Sequence, residues 1–162
     1  MHTTHKLRLT LIFMAASLGV AVVHARHSEP QPPNPIYAQR LVTEVINTNP
    51  DMLDVIFHVT PPNSNDNVAI AAYTAKERGA KSGEDDVGVI ATGKPIVEVQ
   101  RDGGSIGVLL PLKDEAAQTV GALGLMYDYR AGQDEQEFLR RSEMIRDQLA
   151  SRIPSRAALF KR

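Results

Sequence analysis

Apolar and polar positions alternate most clearly in the middle and last third of the chain. Leu53, Val55, Phe57 and Val59 share one face of an extended segment, with Asp54, Ile56 and His58 on the other, which predicts a strand over 53–59. A Pro/Asn/Ser loop at 60–67 leads to a short strand over 68–72. Residues 95–101 place Val97 and Val99 together, and the turn residues Asp102, Gly103 and Gly104 join them to 105–112, where Ile106, Val108, Leu110 and Leu112 alternate. Pro111 has no amide to donate, so it belongs near that strand's end or on an edge. After a polar turn at 113–118, Leu123, Leu125, Tyr127 and Tyr129 line one face opposite Val120, Ala122, Gly124 and Met126. The last three strands therefore form an antiparallel meander.

The helical period appears at both ends of the folded part. Tyr37, Leu41 and Val45 recur every four residues with Ala38, Val42 and Ile46 beside them, and 47–51 ends that helix. Phe138, Ile145, Leu149 and Ile153 follow helical spacing over 134–153, and Pro154 stops the helix. Ser82-Gly83-Glu84-Asp85 fits a Ser-x-x-acid N-capping signature for a short helix that Thr92-Gly93 closes, whereas 73–83 is polar and basic without periodicity. The expected fold is α+β: a five-stranded antiparallel sheet with an N-terminal helix, a short central helix and a C-terminal helix, the helices packed on one face. It occupies 36–153 as one domain, followed by a tail at 154–162.

The N-terminus changes the accounting. Lys6 and Arg8 precede an apolar run over 9–23, and Val23-His24-Ala25 has small residues at the first and third places of a cleavage site, so 1–25 reads as a signal peptide. Fifteen apolar-rich residues fall short of the roughly 20 that span a bilayer. Cleavage after Ala25 would leave 137 of the 162 residues and take Lys+Arg from 18 to 16 against 19 acids, so the formal charge moves from -1 to -3. Only His27 and His58 remain of five His. Residues 26–35 hold four Pro in ten positions and read as an extended, flexible lead-in. Composition is that of one globular domain, without a basic excess to suggest nucleic acid as partner, and with no Cys for a disulfide, thiol nucleophile or Cys-ligated metal. An exported, periplasmic protein is expected, secreted beyond the cell being the variant reading.

Three motifs carry a resemblance to a known family. Thr92-Gly93-Lys94-Pro95, the strand end Leu109-Leu110-Pro111-Leu112-Lys113-Asp114, and Thr119-Val120-Gly121-Ala122-Leu123-Gly124-Leu125 resemble the second half of Cache domains, extracytoplasmic relatives of PAS sensor domains. The resemblance spans 36–130 and is carried by 84–130. It implies a five-stranded antiparallel sheet that binds a small metabolite on one face beneath loops and a short helix. Cache domains usually sit between two membrane helices and feed an output domain; this chain shows neither a second long apolar run nor such a domain, so the resemblance implies a free-standing module.

Each candidate binding residue has a plainer alternative. His58 is the only His in the folded part and could contact a ligand or simply be hydrogen-bonded at the sheet boundary; Asp54 lies about 13 Å away along the strand, too far to share a metal. Asp85, within Glu84-Asp85-Asp86, either belongs to a carboxylate cluster for a divalent cation or a cationic ligand, or complements the helix dipole and completes the cap. Tyr127 and Tyr129 border a pocket or pack in the core. Tyr73 and Lys81, with Lys76 and Arg78, form a basic segment that is either solvated or, in the Cache arrangement, covers the pocket and favours a carboxylate. Gly121 and Gly124 sit inside a strand and so mark close packing or a bulge, not a phosphate loop.

No G-x-S-x-G, H-E-x-x-H, P-loop or dinucleotide pattern occurs, so no catalytic residues, metal or cofactor are expected. The leading reading is a non-catalytic sensor-type domain for a small molecule, a small carboxylate or related metabolite, signalling to a membrane partner. The alternatives are an interaction module with a degenerate pocket, using the last helix and the tail, and an enzyme built on Glu84, Asp85 or His58.

Overall fold

The computed structural model describes residues 29–100 and 103–162. The signal segment and the expected cleavage point lie outside the described residues. Strands β1 (Met52–Val59), β2 (Val68–Ala72), β3 (Ile96–Val99), β4 (Ser105–Lys113) and β5 (Thr119–Asp128) form one sheet with helices α1 (Tyr37–Thr48), α2 (Glu84–Thr92) and α3 (Glu135–Ala150). Strand order is β2-β1-β5-β4-β3, with every neighbouring pair antiparallel. The α+β architecture and the element order are those expected from the pattern.

The pairing register stacks apolar side chains on one face. Val55 pairs with Leu125 and Phe57 with Leu123, while Val108 and Leu110 of β4 meet the same two leucines from the other side. All six are at most 2% exposed. Fully burying side chains of this size contributes about 1.5–3 kcal/mol each, so this layer and its helices carry most of the stability. On that face α1 contributes Ala38, Leu41, Val42, Val45 and Ile46, and α3 contributes Phe138, Ile145 and Leu149. Asn49 ends α1, its side-chain amide donating to the Val45 carbonyl at 2.7 Å, and Asp134 caps α3 by accepting from the Gln136 amide at 2.9 Å.

Four expectations change. The helices do not share one face: α1 and α3 cover the core side, while α2 contacts β4 and β5 from the opposite side, burying little more than Val89. The β1 register shifts between Met52 and Asp54, so Met52 turns inward and Leu53 is 47% exposed. This bulge interrupts the expected alternation. Ser82 is not the helix cap: Gly83 holds that position, its amide donating to Asp86 Oδ2 at 2.7 Å, and Gly93 closes the helix at φ 70°. Finally, 154–162 is no projecting tail. Its 3-10 turn Arg156–Phe160 buries Ala158 and Leu159 against α1, and the Tyr37 amide donates to the Lys161 carbonyl at 2.6 Å.

The described part of the lead-in is also tied down. Glu29 accepts from the Ala75 amide at 3.1 Å, the Pro30 carbonyl accepts from Arg78 Nη1 at 2.9 Å, and Gln31 Oε1 accepts from Gln39 Nε2 at 3.0 Å. Pro111 lies beyond the part of β4 that β3 covers, where no ladder amide is required on that side.

Candidate functional site

The face of the sheet turned away from the main core forms the floor of a cleft of about 740 Å³. Alternation decides its lining: Asp54, Ile56 and His58 of β1, Gly107 and Leu109 of β4, and Gly124 and Met126 of β5 are the residues whose neighbours point into the core. One wall is the start of α2, Gly83 to Asp86; another is the segment 74–77; Ile96, Glu98 and Gln100 close the far side. The size suits a small organic ligand.

Glycine sets the depth of the floor. A Cβ at Gly124 would stand 3.7 Å from Ile56 Cβ and 3.8 Å from both His58 Nε2 and Leu109 Cδ1, so the absence of a side chain leaves open space between those groups. Gly121 answers a different need. A Cβ there would collide with the His58 carbonyl and come 2.7 Å from Val59 Cγ2, because β5 passes that close to β1.

His58 is held by a directional relay. Asn67 Nδ2 donates to Thr60 Oγ1 at 3.2 Å, Ser82 Oγ donates to Asn67 Oδ1 at 2.6 Å, and His58 Nδ1 lies 2.9 Å from Ser82 Oγ. Its other nitrogen, Nε2, faces Asp86 Oδ1 at 3.5 Å, with the two side chains 13% and 15% exposed. Burial pushes the imidazole below its ordinary value, opposed by the carboxylates of Asp86 and Glu77. Ser82, His58 and Asp86 are thus neighbours, which the sequence did not suggest. The hydroxyl of Ser82 is nonetheless committed to Asn67 and does not line the cleft, so it orients His58.

The sequence candidates divide. His58 and Asp85 line the cleft together with Glu84. Tyr127 is on the opposite face, fully buried, with its hydroxyl 2.8 Å from Ser142 Oγ and its ring 5.4 Å from that of Phe138. Tyr129 is buried edge-on to the same Phe138 ring. Both are core residues, as strand parity requires. Tyr73 packs against the core's margin, its hydroxyl accepting from the Glu29 amide at 3.4 Å. Lys81 pairs with Asp66 at 2.9 Å in solvent, and Arg78 donates to the carbonyls of Ala72 and Tyr73. Neither points a charge into the cleft; of that segment's cations, Lys76 borders it, 3.7 Å from Glu77.

The residues missed are further acids. Asp54, Glu77 and Glu98 join Glu84, Asp85 and Asp86 around the cleft, against the single ammonium of Lys76, itself 3.7 Å from Glu77. Asp54 is partly structural, Oδ1 accepting from the amides of Val55, Tyr73 and Thr74 at 2.8, 3.1 and 3.2 Å, which fixes the 74–77 wall. The available signal was strand parity: Asp54, His58 and Glu98 all oppose core positions. Among the described residues no group of three or more potential ligands is placed to hold a metal, and no helix is long and apolar enough to cross a membrane.

No family model matches the chain, and no curated protein matches it. Solved structures do. A GAF domain of A. aeolicus in an inactive state superposes with a TM-score of 0.55 at 12% identity, covering 72% of this chain and 84% of that one. A type II free methionine-R-sulfoxide reductase from Thermoplasma acidophilum gives 0.53 at 14% identity, covering 77% and 92%. These likenesses show the fold, which is GAF/PAS-like.

Proposed function

We propose that the chain is an exported, non-catalytic, sensor-type domain that binds a small organic molecule in the cleft between the sheet and α2. The observation that carries this is the cleft itself: apolar side chains and two glycines at the floor, and convergent polar groups at the rim, on the face left uncovered by α1 and α3. The GAF-like fold is consistent with a ligand-sensing role, and the Cache-like motifs and N-terminal pattern support placing that role outside the inner membrane. Its output would be presentation of the liganded or free state to a membrane partner.

One comparison structure is an enzyme, and the cleft does gather His58, Glu84 and Asp85. Binding remains the better reading. The chain has no cysteine for thiol chemistry, and the Ser82 hydroxyl bonded to His58 donates to Asn67 and is not among the groups lining the cleft. The interaction-module alternative loses the buried part of the tail assigned to it, because Ala158 and Leu159 are in the core.

A thermal-shift screen of organic amines, organic acids, amino acids and nucleobases tests binding. Saturable stabilisation that a cleft-filling Gly124→Leu variant abolishes is the expected result; no shift at millimolar ligand defeats it. Mass spectrometry of the protein recovered from cells tests export, a mature chain beginning at Arg26 being expected and a full-length cytoplasmic product excluding it.

A further inference from the structure

We infer that this cleft takes the ammonium or guanidinium group of a small organic cation, which donates from the cleft side to both His58 Nε2 and Asp86 Oδ1, with the ligand's apolar part lying on the floor. This rests on the binding reading above and adds the ligand's charge and seat. The hydrogen positions follow from the relay behind His58. Ser82 spends its one hydrogen on Asn67 Oδ1, so the contact between His58 Nδ1 and Ser82 Oγ must be donated by the imidazole. Neutral His58 therefore turns a lone pair, not a hydrogen, toward the cleft at Nε2.

The atom opposite is also an acceptor. Asp86 Oδ2 is occupied by the Gly83 amide at 2.7 Å, and Oδ1 faces Nε2 at 3.5 Å. Two acceptors thus confront one another, partly shielded from water, with no hydrogen between them. A group carrying several N–H donors on one cationic centre satisfies both at once, and a carboxylate satisfies neither. The surroundings agree. Glu77, Glu84, Asp85 and Glu98 border the same space against the one ammonium of Lys76, and Arg78 and Lys81 are engaged elsewhere. Ile56, Leu109 and Met126 offer an apolar surface beside Gly124, whose missing side chain opens the approach to Nε2.

The test is calorimetric titration of the folded domain with three matched sets: 2-phenylethylamine and butylamine, 3-phenylpropionate and pentanoate, 3-phenylpropanol and pentanol. Amines are expected to bind at least about tenfold tighter than the alcohols, as a charge-assisted hydrogen bond implies. D86N should cost amine binding about tenfold while leaving the alcohols unchanged, and it keeps an acceptor for the Gly83 amide so that α2 stays capped. His58→Gln should weaken amines likewise, and E137Q, on the exposed face of α3, should not. Acids or alcohols binding as well as amines, or amines indifferent to D86N, would overturn the cation assignment and leave the binding reading intact. No heat with any compound at 10 mM, roughly the limit at which weak specific binding is measurable, overturns both.

Discussion

His58 is titratable, mostly buried and linked by hydrogen bonds to two other segments, so its protonation is coupled to folding. Burial lowers its folded value below that of the unfolded chain, against the pull of Asp86 and Glu77. The folded state then binds its proton less readily, and the contribution is favourable above the unfolded value near 6.5 and is lost as pH falls through that value toward the depressed folded one. Melting temperature should therefore decline between about pH 7.5 and 5.5, and the decline should be shallower in His58→Gln; parallel curves for the two proteins would show that the imidazole does not titrate differently on folding. The two neighbouring glycines predict opposite outcomes. Gly121→Ala drives a methyl into the His58 carbonyl, which the paired strands cannot move aside, and should cost about 1–3 kcal/mol. Gly124→Ala meets only ordinary contacts and should change stability by less than about 1 kcal/mol while narrowing the cleft. Urea titration of both variants distinguishes an obligatory glycine from a permissive one.

Among the elements, α3 shows how a polar residue can sit in an apolar stripe. Phe138, Ile145 and Leu149 were legible from spacing, but Ser142, four residues after Phe138 on the same stripe, was not. It is fully buried and shares a hydrogen bond with Tyr127, whose hydroxyl burial shifts upward in pKa. Tyr127→Phe leaves the Ser142 hydroxyl without its partner and should cost about 1–3 kcal/mol, whereas adding Ser142→Ala should recover part of that loss. A double-mutant cycle in denaturant with no coupling would mean that the two hydroxyls act independently. The same contrast explains what the chain revealed in advance. Periodicity located α1, α3 and the main strands because each has an apolar face, the capping signature placed α2, and strand parity separated Asp54, Ile56 and His58 from the core. Periodicity could not show that a bulge turns Leu53 outward, since Met52 and Leu53 are equally apolar. Nor could it show that Arg78 reaches backbone carbonyls or that Lys81 finds Asp66, because those pairings depend on how distant segments meet. Loop charge was visible in the sequence, and its partners were not.

For the molecule as a whole, the two ends of the described chain decide where the domain stops. The N-terminal segment reaches the 74–78 wall through Glu29, Pro30 and Gln31, and the C-terminal turn closes over α1 through Leu159. Arg152 reinforces that closure by gripping the Glu44 carboxylate with both terminal nitrogens, at 2.6 and 2.7 Å, while Tyr37 donates to the Arg152 carbonyl at 2.8 Å. The ion pair is largely exposed, so it steers the geometry more than it stabilises it. Leu159 carries the energy. Truncating a fully buried leucine typically costs about 2–5 kcal/mol, against a total of about 5–15 kcal/mol for a domain of this class. Leu159→Ala should therefore lower the melting temperature by several degrees at least, and deletion after Ile153, which also strips the Tyr37 amide of the Lys161 carbonyl, should leave a domain that is partly or wholly unfolded at 37 °C. Both proteins can be followed by circular dichroism. A truncated domain that melts like the intact one would return residues 154–162 to the status of a detachable tail, free to serve a partner; a cooperative loss of stability in both makes the turn a permanent part of the core.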